Sequence, residues 1–162
     1  MLLYILPYCV MSLATIRTQI KTEILTVITS SLGTVYDYKR YCNELSVYKD
    51  LFIRGTKVNT WEIERESFSR TEHGGSGGIE VPTHNFIIRG FYALDDSLGS
   101  DKVFQDSYVE PICRRFMNNP TLSGVADIIV MPVTGTITMK MLGSVLCHSV
   151  EIRLSITERR IF

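Results

Sequence analysis

The sequence is poor in the patterns that usually announce chemistry. Its four cysteines, Cys9, Cys42, Cys113 and Cys147, contain no C-x-x-C pair, and His73, His84 and His148 add no ligand spacing beside them. Metal sites bring ligands together in close pairs, so no metal is expected and the thiols read as reduced. Net charge is also lacking: 17 basic residues balance 17 acidic ones, which argues against a chain-wide electrostatic grip on nucleic acid. The longest apolar stretch, Met1–Leu13, is broken by Pro7 and falls short of the ~18–20 residues a membrane span needs. A signal peptide would place basic residues before such a stretch, yet the first positive charge is Arg17. Residues 1–12 are therefore expected to be an extension outside the core, one origin being translation upstream of a start at Met11. A partner-docking segment and a cleaved signal are the alternatives.

What is present is ordinary globular material. An apolar fraction of 45% and a charged fraction of 21% exclude disorder and coiled-coil architecture. The 162 residues suit one domain, placed at 13–162, which buries roughly 70% of its unfolded surface without a metal or disulfide staple.

Ser12 is positioned to cap a helix running to about Ser31. Leu13, Ile16, Ile20, Ile24, Val27 and Ile28 form one apolar stripe, with Arg17, Gln19, Lys21 and Glu23 largely off it. Gly33 stands where a left-handed residue commonly ends a helix. Thr34–Tyr38 reads as a short strand, and residues 39–54 as loop or short helix. Lys57–Arg70 reads as a long polar strand, with Trp61 and Ile63 on one face and Glu62, Glu64 and Glu66 on the other. The acidic face is expected to meet solvent or a basic partner surface, because like charges held side by side cost energy otherwise.

Gly74-Gly75-Ser76-Gly77-Gly78 reads as a hairpin loop, and His84–Leu94 as the returning strand. A second helix is expected from Ser100 or Asp101, with Phe104, Tyr108, Ile112 and Phe116 at steps of four, kinked at Pro111. Asp127–Met131 is apolar enough for a central strand that Pro132 ends, and Thr134–Gly143 is an excursion rich in Thr, Met and Gly. His148–Thr157 alternates cleanly, Val150, Ile152, Leu154 and Ile156 facing inward. Hairpin-joined strands with two amphipathic helices predict an α+β fold. Its mainly antiparallel sheet is expected to be covered on one face by the helices, with a long protruding hairpin.

No catalytic constellation emerges. The glycine-rich loop formally matches G-x-S-x-G, but a nucleophile elbow needs a buried strand before it and a helix after it. Here Ile79-Glu80-Val81-Pro82 follows. The loop also lacks the following Lys-Ser/Thr of a phosphate cradle. Asp95-Asp96 suits a turn leading a helix. Arg114-Arg115 and Arg159-Arg160 are isolated doublets without aromatic interleaving. No cofactor is expected.

The helix segment Ala14–Ile20 leading into Val35–Tyr38, the strand His84–Phe91, the second helix, Thr121-Leu122-Ser123-Gly124 and the closing Glu151–Ile156 together resemble tail terminator and related tail-completion or neck proteins of long-tailed bacteriophages. The likeness spans about residues 12–160. It implies a non-enzymatic α+β subunit of the virion, assembled in the host cytoplasm into a homohexameric ring. That ring caps the tail tube, joins it to the head-side connector or stopper protein, and lets DNA pass through its lumen without sequence-specific binding and without a membrane. By the same analogy the 70–82 loop or the 134–146 excursion faces the lumen or an adjoining ring. Trp61, Glu62, Glu64, Glu66, Arg70, His73, Ser76, Thr138, Lys140 and Met141 are the expected interface residues. The alternatives are another neck or head-completion ring, a small non-catalytic α+β binding module with an apolar pocket, and a hydrolase using Ser76 with His73 or His84.

Overall fold

A computed structural model describes residues 12–41, 47, 50, 52–54, 57–73, 79–158 and 160–161. The apolar extension 1–11, most of the 42–51 region and the glycine-rich loop with Ser76 lie outside the described residues.

Helix α1 (Leu13–Leu25) begins where the sequence places it. Ser12 is extended and its hydroxyl accepts the Thr15 N–H at 3.2 Å. Ile16, Ile20, Ile24 and Ile28 are fully buried. The helix stops at Leu25 rather than near Ser31, because Thr26-Val27-Ile28-Thr29 is a β-branched run with restricted helical rotamers. Thr26 also turns its hydroxyl back onto the Glu23 carbonyl at 2.7 Å. Gly33 is a second correction. Its φ is not among the positive ones; instead a Cβ there would lie 2.4 Å from the Asn59 carbonyl oxygen. Close approach of two backbones, not a left-handed turn, requires the glycine.

Among the described residues seven strands follow: β1 (Thr34–Tyr36), β2 (Ile53–Arg54), β3 (Lys57–His73), β4 (Ile79–Ala93), β5 (Ile128–Leu142), β6 (Val145–Thr157) and β7 (Arg160–Ile161). The main order is β1-β3-β4-β6-β5, with β2 beside β3 and β7 beside β4. The fold is α+β and the sheet is mostly antiparallel, as the sequence predicts. The exception is β1, which runs parallel to β3 with Val35 opposite Trp61.

Between β4 and β5 lies a composite helix, α2, made of an α turn (Ser100–Lys102), a π segment (Val103–Val109) and an α segment (Glu110–Asn118). Phe104, Tyr108, Ile112 and Phe116 are all buried, as their spacing predicts. Pro111 stands just after the π segment, in the first turn of the α segment. Proline lacks an N–H and its ring crowds the carbonyl four residues back, and a wider turn relieves both. The step of four fits this winding. On a 3.6-residue helix each such step overshoots a turn by about 40°, so the row drifts unless part of the helix is unwound.

One face of the sheet supplies Trp61, Ile63, Phe86, Ile88, Val150, Ile152, Leu154 and Ile156 to a core cluster shared with the isoleucines of α1 and the aromatics of α2. Trp61 lies flat over Gly90, its opposite number on β4; a Cβ at Gly90 would meet the indole at 2.5 Å. On the other face Phe52, Val58, Phe91, Leu142 and Cys147 form a smaller apolar cluster.

Strand β5 overturns the reading of residues 127–143. Among the described residues it is an edge strand, not a central one, and it does not end at Pro132. Its pairing with β6 shifts between Val130 and Thr134, then resumes to Leu142, so the Thr-, Met- and Gly-rich stretch is strand. A proline is tolerated there because an irregular edge position needs no ladder N–H.

Candidate functional site

The residues expected at an interface separate into three environments. Trp61 is fully buried. Its Nε1–H donates to Asn59 Oδ1 at 3.0 Å, and its ring lies 6.1 Å from that of Phe104. It is a core residue, sharing one apolar cluster with buried residues of α1 and α2.

Within the acidic ladder this chain supplies cations of its own, and only its outer member, Glu66, stands exposed. Glu62 is only 2% exposed and accepts the Arg40 backbone N–H at 2.9 Å. Glu64 accepts from Lys39 at 3.1 Å and pairs with Arg89, whose Nε–H also donates to Glu151 at 3.0 Å. Glu66 is exposed and pairs with Arg153 at 2.8 Å. The cross-strand register explains the arrangement. Arg89 on β4 stands directly between Glu62 on β3 and Glu151 on β6, all on the face away from the main core.

The two inner carboxylates are pushed in opposite directions. Burial raises the Glu62 pKa and outweighs its hydrogen bond and the nearby cations. Burial works against ionised Glu64 as well, but there the hydrogen bonds from Arg89 and Lys39 win and the pKa falls. Arg89 is the residue that sequence reasoning missed. Its signal was present: it is the one cation in the otherwise uncharged strand run His84–Leu94.

Beyond the ladder, Arg70 is exposed and pairs with Glu80 across β3 and β4 at 3.3 Å. His73 is the last residue of β3, opposite Ile79, and Ser76 lies outside the described residues. Thr138, Lys140 and Met141 stand exposed on β5, Thr138 and Lys140 on the face away from the main core and Met141 on the other. The structure thus gathers the β3 carboxylates into one network and leaves the β5 residues apart from it.

A second polar cluster was not foreseen. Ser100 Oγ lies 2.9 Å from His148 Nε2, and Asp101 Oδ1 lies 3.8 Å from His148 Nδ1. This order of atoms copies a Ser-His-Asp triad beside a hollow of about 230 Å³ lined in part by Tyr92, Leu98 and Ser100. Its details suit a latch. The Asp95 N–H donates to Ser100 Oγ at 2.8 Å, occupying a lone pair that a nucleophile needs. Asp101 is beyond hydrogen-bond distance and 66% exposed, so water screens it from the imidazole. His148 stacks on Phe104, and Ser100 N–H returns to the Asp95 carbonyl at 3.2 Å. Together these contacts fasten the 95–100 turn to β6. His84, the other candidate partner for Ser76, is buried against Glu158 at 3.2 Å.

Cys147 and His148 point to opposite faces, as strand neighbours must. Burial pushes the Cys147 thiol up to about 11 and raises that of Cys113, so both described cysteines stay protonated and poor nucleophiles at neutral pH. Among the described residues no group of His, Cys, Asp or Glu is placed to hold a metal ion. No helix among them is long and apolar enough to cross a membrane.

The fold and its polar clusters define an α+β protein with many ionic groups engaged within the chain and, among the described residues, an exposed β5 paired on one side. Neither a known protein-family model nor a curated protein matches the chain.

Proposed function

We propose that the protein is a structural subunit of a long-tailed bacteriophage virion: a tail terminator that forms a hexameric ring, caps the tail tube and joins it to the head-side connector. The observation that carries the reading is the placement of exposed apolar side chains. Ile137, Met139 and Met141 stand in a row on an edge strand that pairs on one side only among the described residues. Such an edge is a template for another chain, and a subunit built for assembly has a use for it. The order of segments from Ala14 to Ile156 supplies the particular assembly.

In this reading the helices cover the inner face of the sheet and the β3–β4 hairpin projects from it. The loop with Ser76 and the β5 residues Thr138, Lys140 and Met141 then meet neighbouring subunits, the tube or the connector. The protein performs no catalysis, needs no cofactor and lets DNA pass without reading its bases. It is assembled in the host cytoplasm and resides in the virion.

Native mass spectrometry of the full chain together with imaging of purified particles tests this. A sixfold ring at the head–tail junction that contains this chain is the expected result. Particles with no such ring, from a protein that stays monomeric at high concentration, would overturn it.

A further inference from the structure

We propose that β5 is a self-pairing strand: two copies of the protein join their β5 edges antiparallel about a two-fold axis, with Ile137 opposite Ile137 of the second copy. This goes beyond the ring, which needs a head-to-tail contact between two different surfaces, whereas a two-fold contact closes on itself.

Natural edges are protected by proline, bulges and charge. On β5 these devices sit at the ends: Pro132 and the register shift before Thr134 at one, Lys140 near the other. Between them Thr134–Met139 is uncharged and regular, yet Ile137 is 42% and Met139 65% exposed.

Gly135 then sets the register. Its φ is not positive, and a Cβ added there would meet nothing closer than 4.0 Å. Neither a positive φ nor packing among the described residues calls for a glycine. With Ile137 on the axis, Gly135 stands opposite the second copy's Met139. The chain already uses this device internally, where Trp61 lies over Gly90 on the neighbouring strand.

The rest of the register is consistent. Met141 faces Val133 and Thr138 faces Thr136, each pair on one side of the sheet as antiparallel pairing demands. The only charge on the strand, Lys140, meets uncharged Thr134, so no like charges oppose.

Sedimentation velocity of the full chain over a concentration series, with cysteine crosslinking under mild oxidation, tests the proposal. Wild type should show a concentration-dependent dimer. Gly135→Val should fold normally but lift Met139 off its seat and weaken the dimer about tenfold. Opposed residues of an antiparallel pair lie about 4.5–5.5 Å apart at Cα, within disulfide reach. Ile137→Cys should therefore crosslink above the wild-type background, and Thr138→Cys, two positions off its own copy, should not. A strictly monomeric wild type overturns the proposal, and so does a monomer that dimerises only after residues 1–11 are removed, since the chain's own extension would then hold the edge. Crosslinking through Thr138→Cys instead of Ile137→Cys overturns the register. Loss of the hexameric ring with this dimer intact would sink the ring reading alone.

Discussion

Strands β3 and β5 belong to one sheet and exchange the places their compositions suggest. The β3 segment around Glu62, Glu64 and Glu66 reads as a solvent-facing polar strand, yet its inner half is buried and its carboxylates are met by Arg40, Lys39 and Arg89. The β5 segment begins with Ile128-Ile129-Val130-Met131 and reads as central, yet all of it but Ile129, Val133 and Leu142 is exposed. Hydrophobicity reports which residues prefer burial. Position in the sheet depends on which strands flank each one, and among the described residues β3 has neighbours on both sides while β5 has one.

Four predictions would break or sharpen this contrast. Trp61→Ala removes the indole from between Gly90 and Phe104 and leaves Asn59 Oδ1 without its donor. It should cost about 3–5 kcal/mol in denaturant unfolding. A loss under about 1 kcal/mol would mean that the inner face of β3 is not packed as described. Arg89→Met strips Glu64 and Glu151 of their shared cation. Because the guanidinium is mostly buried and its acceptors only partly so, the expected loss is about 2–3 kcal/mol at low salt.

The third prediction separates two neighbouring carboxylates by pH. Glu64 has a depressed pKa in the folded state, so its contribution is full above the unfolded value near 4.3 and fades as pH falls through the folded one. Glu64→Gln should lose on the order of 1–2 kcal/mol at pH 7 and progressively less below pH ~4. Glu62 has a raised folded pKa, so its ionisation opposes folding as pH rises. Glu62→Gln keeps an acceptor for the Arg40 N–H and should hold or raise stability at pH 7, by less than about 1 kcal/mol. Equal losses in the two variants across a pH series of chemical denaturation would contradict the opposed shifts.

The smallest effect belongs to β5. Met139→Ser and Ile137→Ser should each change the monomer's stability by no more than about 0.5 kcal/mol, measured at a protein concentration too low for association. A larger loss would show that the β5 edge is packed within its own chain.

Much of the fold was legible because burial follows periodicity. The four-residue and alternating steps picked out Ile16, Ile20 and Ile24 of α1, the aromatic row of α2 and the inward face of β6. Less was legible where polar groups are buried. Glu23 lies off the apolar stripe yet is 3% exposed, because Arg115 at 2.9 Å and Asn119 at 2.7 Å close on it from α2 and the turn after it. Likewise Ser100 and His148 are 48 positions apart and meet only when β6 passes under α2. Of the residues expected to act together, only the carboxylates Glu62, Glu64 and Glu66 share a cluster, and Trp61 left the set for the core.

The sequence alone determined the class of fold, the inward faces of its helices and strands, and the cap at Ser12, since each follows from steric and hydrophobic preferences acting over a few neighbouring residues. Tertiary structure alone decided the order of strands, the pairing of the carboxylates and the exposure of β5. Those depend on which distant segments lie side by side, and a local preference for burial is the same whether or not a neighbour arrives to satisfy it.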